Sequence, residues 1–302
     1  MERITENQFI RTFKNNIQLF IKREDLIHPF ISGNKYRKLF YNLSKAKEEN
    51  HATLLTFGGA YSNHIAAVAY AGKKYGFQTI GVIRGEELNS KINKNPTLTF
   101  AQQNGMQFVF ESREEYRNRH EMEYIETLRQ KLGAFYLIPE GGTNELAVKG
   151  CKEILTENDA EFDYICCCVG TGGTISGIIN SSHVNQRIIG FPSLKGDFLN
   201  GEIQKWVTKD NWELNNAYHF GGYAKINSEL IEFMNYFFVQ TSVLLDPVYT
   251  GKMMYGIYDL IEKEFFIANS KILAIHSGGL QGIEGMNQKL EKLKLPKIIT
   301  NV

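Results

Sequence analysis

Short apolar runs alternate with amphipathic stretches along most of the chain, and a glycine-rich turn follows many of the runs. ATLLTF (52–57) leads to Gly58-Gly59 and then to a helical pattern from about Ser62 to Lys74, which stops at Gly76. FQTIGVI (77–83) and MQFVF (106–110) are the next apolar runs, and a long polar helix pattern ends near Gly133. AFYLIP (134–139) precedes Gly141-Gly142 and a helix from about Asn144. YICCCV (164–169) precedes GTGGT and a further helix, and RIIGF (187–191) and KILAIH (271–276) complete the series. Continuous apolar runs separated by helices predict buried parallel strands and an α/β fold. Open parallel sheets bind ligands beyond the C-terminal ends of their strands. Four glycine-bearing loops there, 58–64, 141–144, 170–174 and 277–282, predict one small-molecule crevice.

Composition narrows the picture. The 302 residues are 43 % hydrophobic and 22 % charged, an ordinary globular balance. Lys plus Arg is 34 against Asp plus Glu at 33, and a net charge of +1 gives no case for nucleic acid or an anionic membrane as partner. No apolar run approaches the roughly 18 residues of a membrane span. The start, MERITENQFIRTFKNN, lacks the apolar stretch of a secretory signal, so a cytoplasmic address is expected. Three of the four cysteines are consecutive, Cys166 to Cys168. On a strand such neighbours point to opposite faces and cannot converge on one metal, so they read as small buried hydrophobes, and no metal site is expected. Cys151 reads as structural on a helix.

Several loops carry candidate chemistry. In SGNKYRKLF, Asn34 reads as an N-cap that places Lys35 first in a helix, where a cation opposes the helix dipole. Desolvation there would lower the lysine pKa as Schiff-base chemistry requires, but a solvated basic face, Lys35-Arg37-Lys38, explains the same pattern. GTGGTISG (170–177) opens a helix after a strand, and its backbone N–H groups form a nest suited to a single phosphate. It lacks the Lys-Ser/Thr of a P-loop, and Ile175 stands where a dinucleotide fingerprint has Gly or Ala. Ser62 and Asn63 read as helix caps, and His64 and His276 as structural polar groups. Tyr249 and Thr250 read either as turn residues or as an aromatic platform with a hydroxyl partner.

In order, KRED (22–25), GNKYRKL (33–39), GGAYSNH (58–64), PEGGTN (139–144), GTGGTISG (170–177), LDPVYTGK (245–252) and IHSGG (275–279) resemble the pyridoxal-phosphate-dependent D-cysteine desulfhydrase and 1-aminocyclopropane-1-carboxylate deaminase family. The resemblance implies pyridoxal 5'-phosphate as cofactor, Lys35 as its Schiff-base residue, and a homodimer acting on a small amino acid. It implies that Asn63 bonds the phenolic oxygen of the cofactor. Gly170, Thr171, Gly172, Gly173 and Thr174 would hold the phosphate. Ser62 would meet the substrate carboxylate or act as nucleophile or proton carrier, and Tyr249 would stack near the ring. The deaminase branch resembles DPVYEGK, with a carboxylate at the pyridine nitrogen, whereas Thr250 resembles the desulfhydrase branch. A hydroxyl does not keep that nitrogen protonated, which suits β-elimination with a good leaving group. The expected activity is therefore a lyase forming pyruvate, sulfide and ammonia from D-cysteine. The aminocyclopropane deaminase forming 2-oxobutanoate is the alternative within the family. A nucleotide-binding oxidoreductase or a non-catalytic ligand-binding protein is the alternative outside it.

The implied fold is the fold-type-II α/β arrangement, similar to the tryptophan synthase β-subunit, with the cofactor in the cleft between two open twisted domains. Residues 1–37 plus 148–302 would form the large domain and 38–147 the small inserted one. Tyr61, where the family has Gln, and Ala66-Ala67, where it has Arg-Gln, depart from the pattern beside the expected carboxylate pocket.

Overall fold

The structure, a computed structural model, describes residues 4–301; residues 1–3 and 302, at the two ends of the expected large domain, lie outside the described residues. The chain opens with an antiparallel pair, β1 (Asn7–Thr12) and β2 (Gln18–Lys22), followed by α1 (Asn34–Glu48). Alternation then begins: β3 (Thr53–Gly58), α2 (Asn63–Tyr75), β4 (Gln78–Arg84), α3 (Pro96–Gln103), β5 (Met106–Glu111), α4 (Met122–Leu132), β6 (Tyr136–Ile138) and α5 (Glu145–Cys151). A second series follows: β7 (Tyr164–Val169), α6 (Gly173–Ser181), β8 (Arg187–Pro192), α7 (Phe198–Gln204) and β9 (Trp212–Leu214). The chain closes with α8 (Ser228–Thr241), α9 (Thr250–Glu262), β10 (Lys271–Ile275) and α10 (Gly282–Lys292).

Two sheets result. Strands in the order β5-β4-β3-β6 form a wholly parallel four-stranded sheet. The order β1-β2-β10-β7-β8-β9 forms a six-stranded sheet, parallel except for its edge strand β1. The local signals explain the helix ends. Ser62 Oγ accepts from the Ile65 N–H at 3.4 Å to start α2, and Gly76, at φ 79°, ends it. Asn95 and Asn144 cap α3 and α5 in the same way.

β7 lies in the middle of the large sheet and is buried along its whole length, with Cys166 opposite Ala274 on one side and Ile189 on the other. Cys166 and Cys168 pack in one core with Met253 and Ile257 of α9, whereas Cys167 packs on the opposite face with Ile175 and Ile178 of α6. Their side chains alternate, as a strand requires.

The strands of the small sheet all fall between residues 53 and 138, and those of the large sheet fall on both sides of that segment. The chain passes between the sheets through α1 and α5, which touch: a Cβ on Gly150 would lie 2.0 Å from the Arg37 carbonyl oxygen. A buried ion pair, Arg37 to Glu24 at 2.9 Å, ties α1 to the segment that follows β2.

Candidate active site

A small inner cavity of about 70 Å³ sits at the C-terminal ends of the parallel strands. All four glycine-bearing loops reach it, contributing Ser62 to His64, Gly141, Gly170 to Gly172, and Ser277 to Gly279. It opens into a larger cleft of about 960 Å³, and Asn63, Tyr223, Tyr249 and Gly279 line both.

Lys35 reaches the cavity from the start of α1. Here the local geometry departs from expectation. The N-cap is Gly33, at φ 59°, not Asn34, so Lys35 is the second helical residue. Gly33 lies so close to the end of β10 that a Cβ would fall 1.8 Å from the Ser277 carbonyl oxygen, and the Asn34 N–H donates to that oxygen at 3.2 Å. This contact takes the place of a side-chain cap. The Asn34 side chain instead donates to Thr174 Oγ1 at 2.8 Å, and its Oδ1 accepts from Lys35 Nζ at 3.3 Å. Lys35 borders the cavity, and desolvation lowers its pKa below the ordinary lysine value. The Cys151 thiol nearby offers little counter-charge, because burial pushes its own pKa up to about 11.

Gly170 to Thr174 curl around the N-terminus of α6, with Gly172 at φ 84°. A Cβ on Gly173 would fall 2.8 Å from Thr143 Oγ1 and 3.2 Å from Lys38 Nζ, so close approach demands glycine there. Lys38 is a binding candidate that sequence reasoning read as part of a basic face. It is 2 % exposed, and its ammonium donates to neutral oxygens, Gly141 O at 3.0 Å and Thr143 Oγ1 at 3.0 Å. Burial, then the nearby Lys35, lower its pKa to about 7. A buried ammonium with no carboxylate partner among the described residues, beside glycine amides at a helix N-terminus, is a site that an anion completes. The donor set fits the phosphate of pyridoxal phosphate, and the adjacent low-pKa amine fits its aldehyde.

On the opposite wall, Ser62 and Asn63 begin α2. The Ser62 oxygen caps the helix, which leaves its hydroxyl hydrogen available to the cavity. Asn63 Oδ1 accepts from Gln281 Nε2 at 2.8 Å. His64 lies behind, with Nε2 bonded to Thr56 Oγ1 at 2.9 Å and Nδ1 unpartnered. Burial, with Lys35 and Lys38 adding to it, holds its pKa well below the ordinary value, so it is neutral.

Tyr249, the residue before α9, meets Tyr223 ring edge to face at 6.2 Å. Burial raises the pKa of both. Tyr223 escaped the sequence reading. The Gly221-Gly222 pair before it, both at positive φ, was the available signal.

Thr250 is not brought to the inner cavity wall. It is completely buried, its Oγ1 accepting from the Asp246 N–H at 2.8 Å and donating to Asp246 Oδ1 at 3.0 Å. The hydroxyl thus closes the loop that presents Tyr249. Cys168 and Ser277 are among the polar residues that line the inner cavity, with Sγ and Oγ 3.0 Å apart. No aspartate or glutamate among the described residues lines the inner cavity.

Comparison with known proteins agrees with this geometry. The family described as pyridoxal-phosphate dependent enzyme matches residues 4–278. A putative 1-aminocyclopropane-1-carboxylate deaminase of Thermotoga maritima is 30 % identical, over 95 % of this chain and 97 % of that protein. The mitochondrial bifunctional D-cysteine desulfhydrase/1-aminocyclopropane-1-carboxylate deaminase of Arabidopsis thaliana is 32 % identical, over 89 % of this chain and 74 % of that protein. The crystal structure of an ACC deaminase homologue superposes with a TM-score of 0.82 at 30 % identity, over 96 % of this chain and 93 % of that one. The fold is the fold-type-II arrangement expected from the sequence.

Proposed function

The chain belongs to the pyridoxal-phosphate dependent enzyme family and is a lyase or deaminase using that cofactor, and from this premise we propose that it eliminates the β-substituent of D-cysteine. The products are pyruvate, sulfide and ammonia, with one water consumed. When bound, pyridoxal phosphate supplies an aldehyde that joins amines and a ring that draws electrons from the substrate α-carbon.

The chain supplies the rest. Lys38 and the Gly170–Thr174 loop would hold the phosphate. Asn63 would bond the phenolic oxygen, and Ser62 with the start of α2 would receive the substrate carboxylate. Lys35 would be the residue to which the cofactor attaches, and its Nζ, whose pKa desolvation lowers, would take the α-proton. Tyr249 and Tyr223 border the passage from the inner cavity to the outer cleft.

The observation that carries the choice of reaction is the lack of a carboxylate among the described lining residues of the inner cavity. Ser277 and Cys168 are weak partners for a ring nitrogen and do not hold a proton on it. Such a wall favours loss of a good leaving group over opening of a cyclopropane. Thr250 does not bear that argument directly, since Asp246 engages its hydroxyl. The bifunctional relative's name covers both reactions. The choice of the D-enantiomer and of a homodimer rests on the family resemblance. No described helix is long and apolar enough to cross a membrane.

Purified holoenzyme supplied with D-cysteine, L-cysteine and 1-aminocyclopropane-1-carboxylate, with sulfide, pyruvate and 2-oxobutanoate measured, tests the reading. D-cysteine should have the highest kcat/KM. Faster turnover of L-cysteine or of the cyclopropane substrate contradicts it.

A further inference from the structure

The outer cleft is far larger than a cysteine side chain needs, and its volume of about 960 Å³ is at the upper end of ligand sites. It is also one-sided in charge. Seven lysines and arginines line it against two carboxylates, Glu87 and Asp246. Those two are already engaged. Glu87 pairs with Arg113 at 3.1 Å, and Asp246 accepts the backbone N–H groups of Val248 and Thr250 at 3.0 and 2.7 Å.

Arg84 differs from its neighbours. It ends β4, beside the loop that carries Ser62 and Asn63, and a Cβ on Gly59 of that loop would lie 3.8 Å from Arg84 Nη2. The guanidinium sits over the Tyr116 ring, 5.9 Å from its centroid. Arg119 occupies the same ring at 5.0 Å, but its charge is met by Glu140 at 2.7 Å. The Arg84 guanidinium has no ion pair and no hydrogen bond among the described residues. An aromatic face therefore orients a planar cation whose N–H edges are left to the cleft.

We propose that the outer cleft receives a carboxylate at the far end of an amino-acid substrate's side chain, with Arg84 as its principal contact and specificity residue. The assignment rests on the pyridoxal-phosphate lyase reading and extends it from cysteine to β-substituted amino acids bearing a distal carboxylate. Continuity of the two spaces through Asn63, Tyr223 and Tyr249 allows one molecule to occupy both. A guanidinium edge matches a carboxylate with two parallel hydrogen bonds. Lys289 and Lys292 of α10, on the other wall, add to the attraction.

S-carboxymethylcysteine and its uncharged isostere S-carbamoylmethylcysteine, each as both enantiomers, provide the test. β-Elimination of the first breaks its Cβ–S bond, and the sulfur leaves with the electron pair and gains a proton. With one water consumed, the products are thioglycolate, pyruvate and ammonia. Binding to the holoenzyme is measured by calorimetry, and turnover by pyruvate release. The carboxylate compound should bind, and be turned over in kcat/KM, about tenfold or more better than the amide, the value of a charge-assisted hydrogen bond. Arg84→Gln should abolish that preference, and Arg84→Lys should keep part of it. Equal affinity for the two compounds, or a preference unchanged in Arg84→Gln, overturns the assignment. Failure of the cofactor reading shows separately, as a protein that gains no visible absorption with pyridoxal phosphate, while the binding comparison still reads Arg84.

Discussion

Lys38 shows what burial does to an ordinary lysine. In the protein alone its pKa falls to about 7. A bound phosphate favours the ammonium and raises that pKa. Between about 7 and the raised value, the complex therefore holds a proton that the protein alone lacks. Affinity is greatest below that window and falls as pH rises through it, by up to about tenfold per unit. Pyridoxamine phosphate, whose amine does not join Lys35, should bind with proton uptake at pH 8, detectable by calorimetry in buffers of different ionisation enthalpy. Lys38→Arg should bind with little pH dependence from 7.5 to 9, since a guanidinium stays charged. An equal pH slope in both proteins would remove Lys38 from the phosphate site. Sequence reasoning did not reach this residue. RKL reads as a solvated face until α1 is packed against the Gly141 and Thr143 loop. Thr250 shows the converse: its motif is plain in the sequence, but the direction of its hydroxyl depends on the turn made with Asp246.

At the scale of the elements, the buried parallel strands were legible because each is an unbroken apolar run. β3, β4, β7, β8 and β10 match their runs to within a residue or two. β1 and β2 were not foreseen. β1 is an edge strand with mixed exposure, and β2 ends in Lys22, which is buried against Asp159 at 2.9 Å. That partner lies 137 residues away. The start of α1 was anticipated but its cap was not, because Gly33 acts through contact with Ser277 of a distant loop. Gly33→Ala tests that junction. The left-handed φ costs about 1–3 kcal/mol for a residue with a Cβ, and the carbonyl it would strike adds more. Denaturant unfolding should show that loss, and the displaced Lys35 should bind pyridoxal phosphate more weakly. Wild-type stability and affinity in this variant would mean that the α1–β10 junction is looser than its packing indicates.

In the whole molecule, two sheets meet with their strand ends facing one cavity. The sequence already pointed there, since all four glycine-bearing loops after strands reach it. The outer cleft was not readable. Its seven lysines and arginines, from Arg84 to Lys292, are scattered in chain order and assembled by the fold. The division at 37/38 and 147/148 is our proposal for the domain boundary, and it falls beside the α1–α5 contact through which the chain passes between sheets. The central claim for the molecule is that its cofactor attaches to Lys35. Borohydride reduction of the holoenzyme, followed by digestion and mass spectrometry, tests it most directly. A pyridoxyl phosphate mass on the peptide bearing Lys35, with fragment ions that place it on that residue and not on Lys38, is the predicted result. A label fixed on any other lysine, or none on a protein that shows the visible band, would contradict the account.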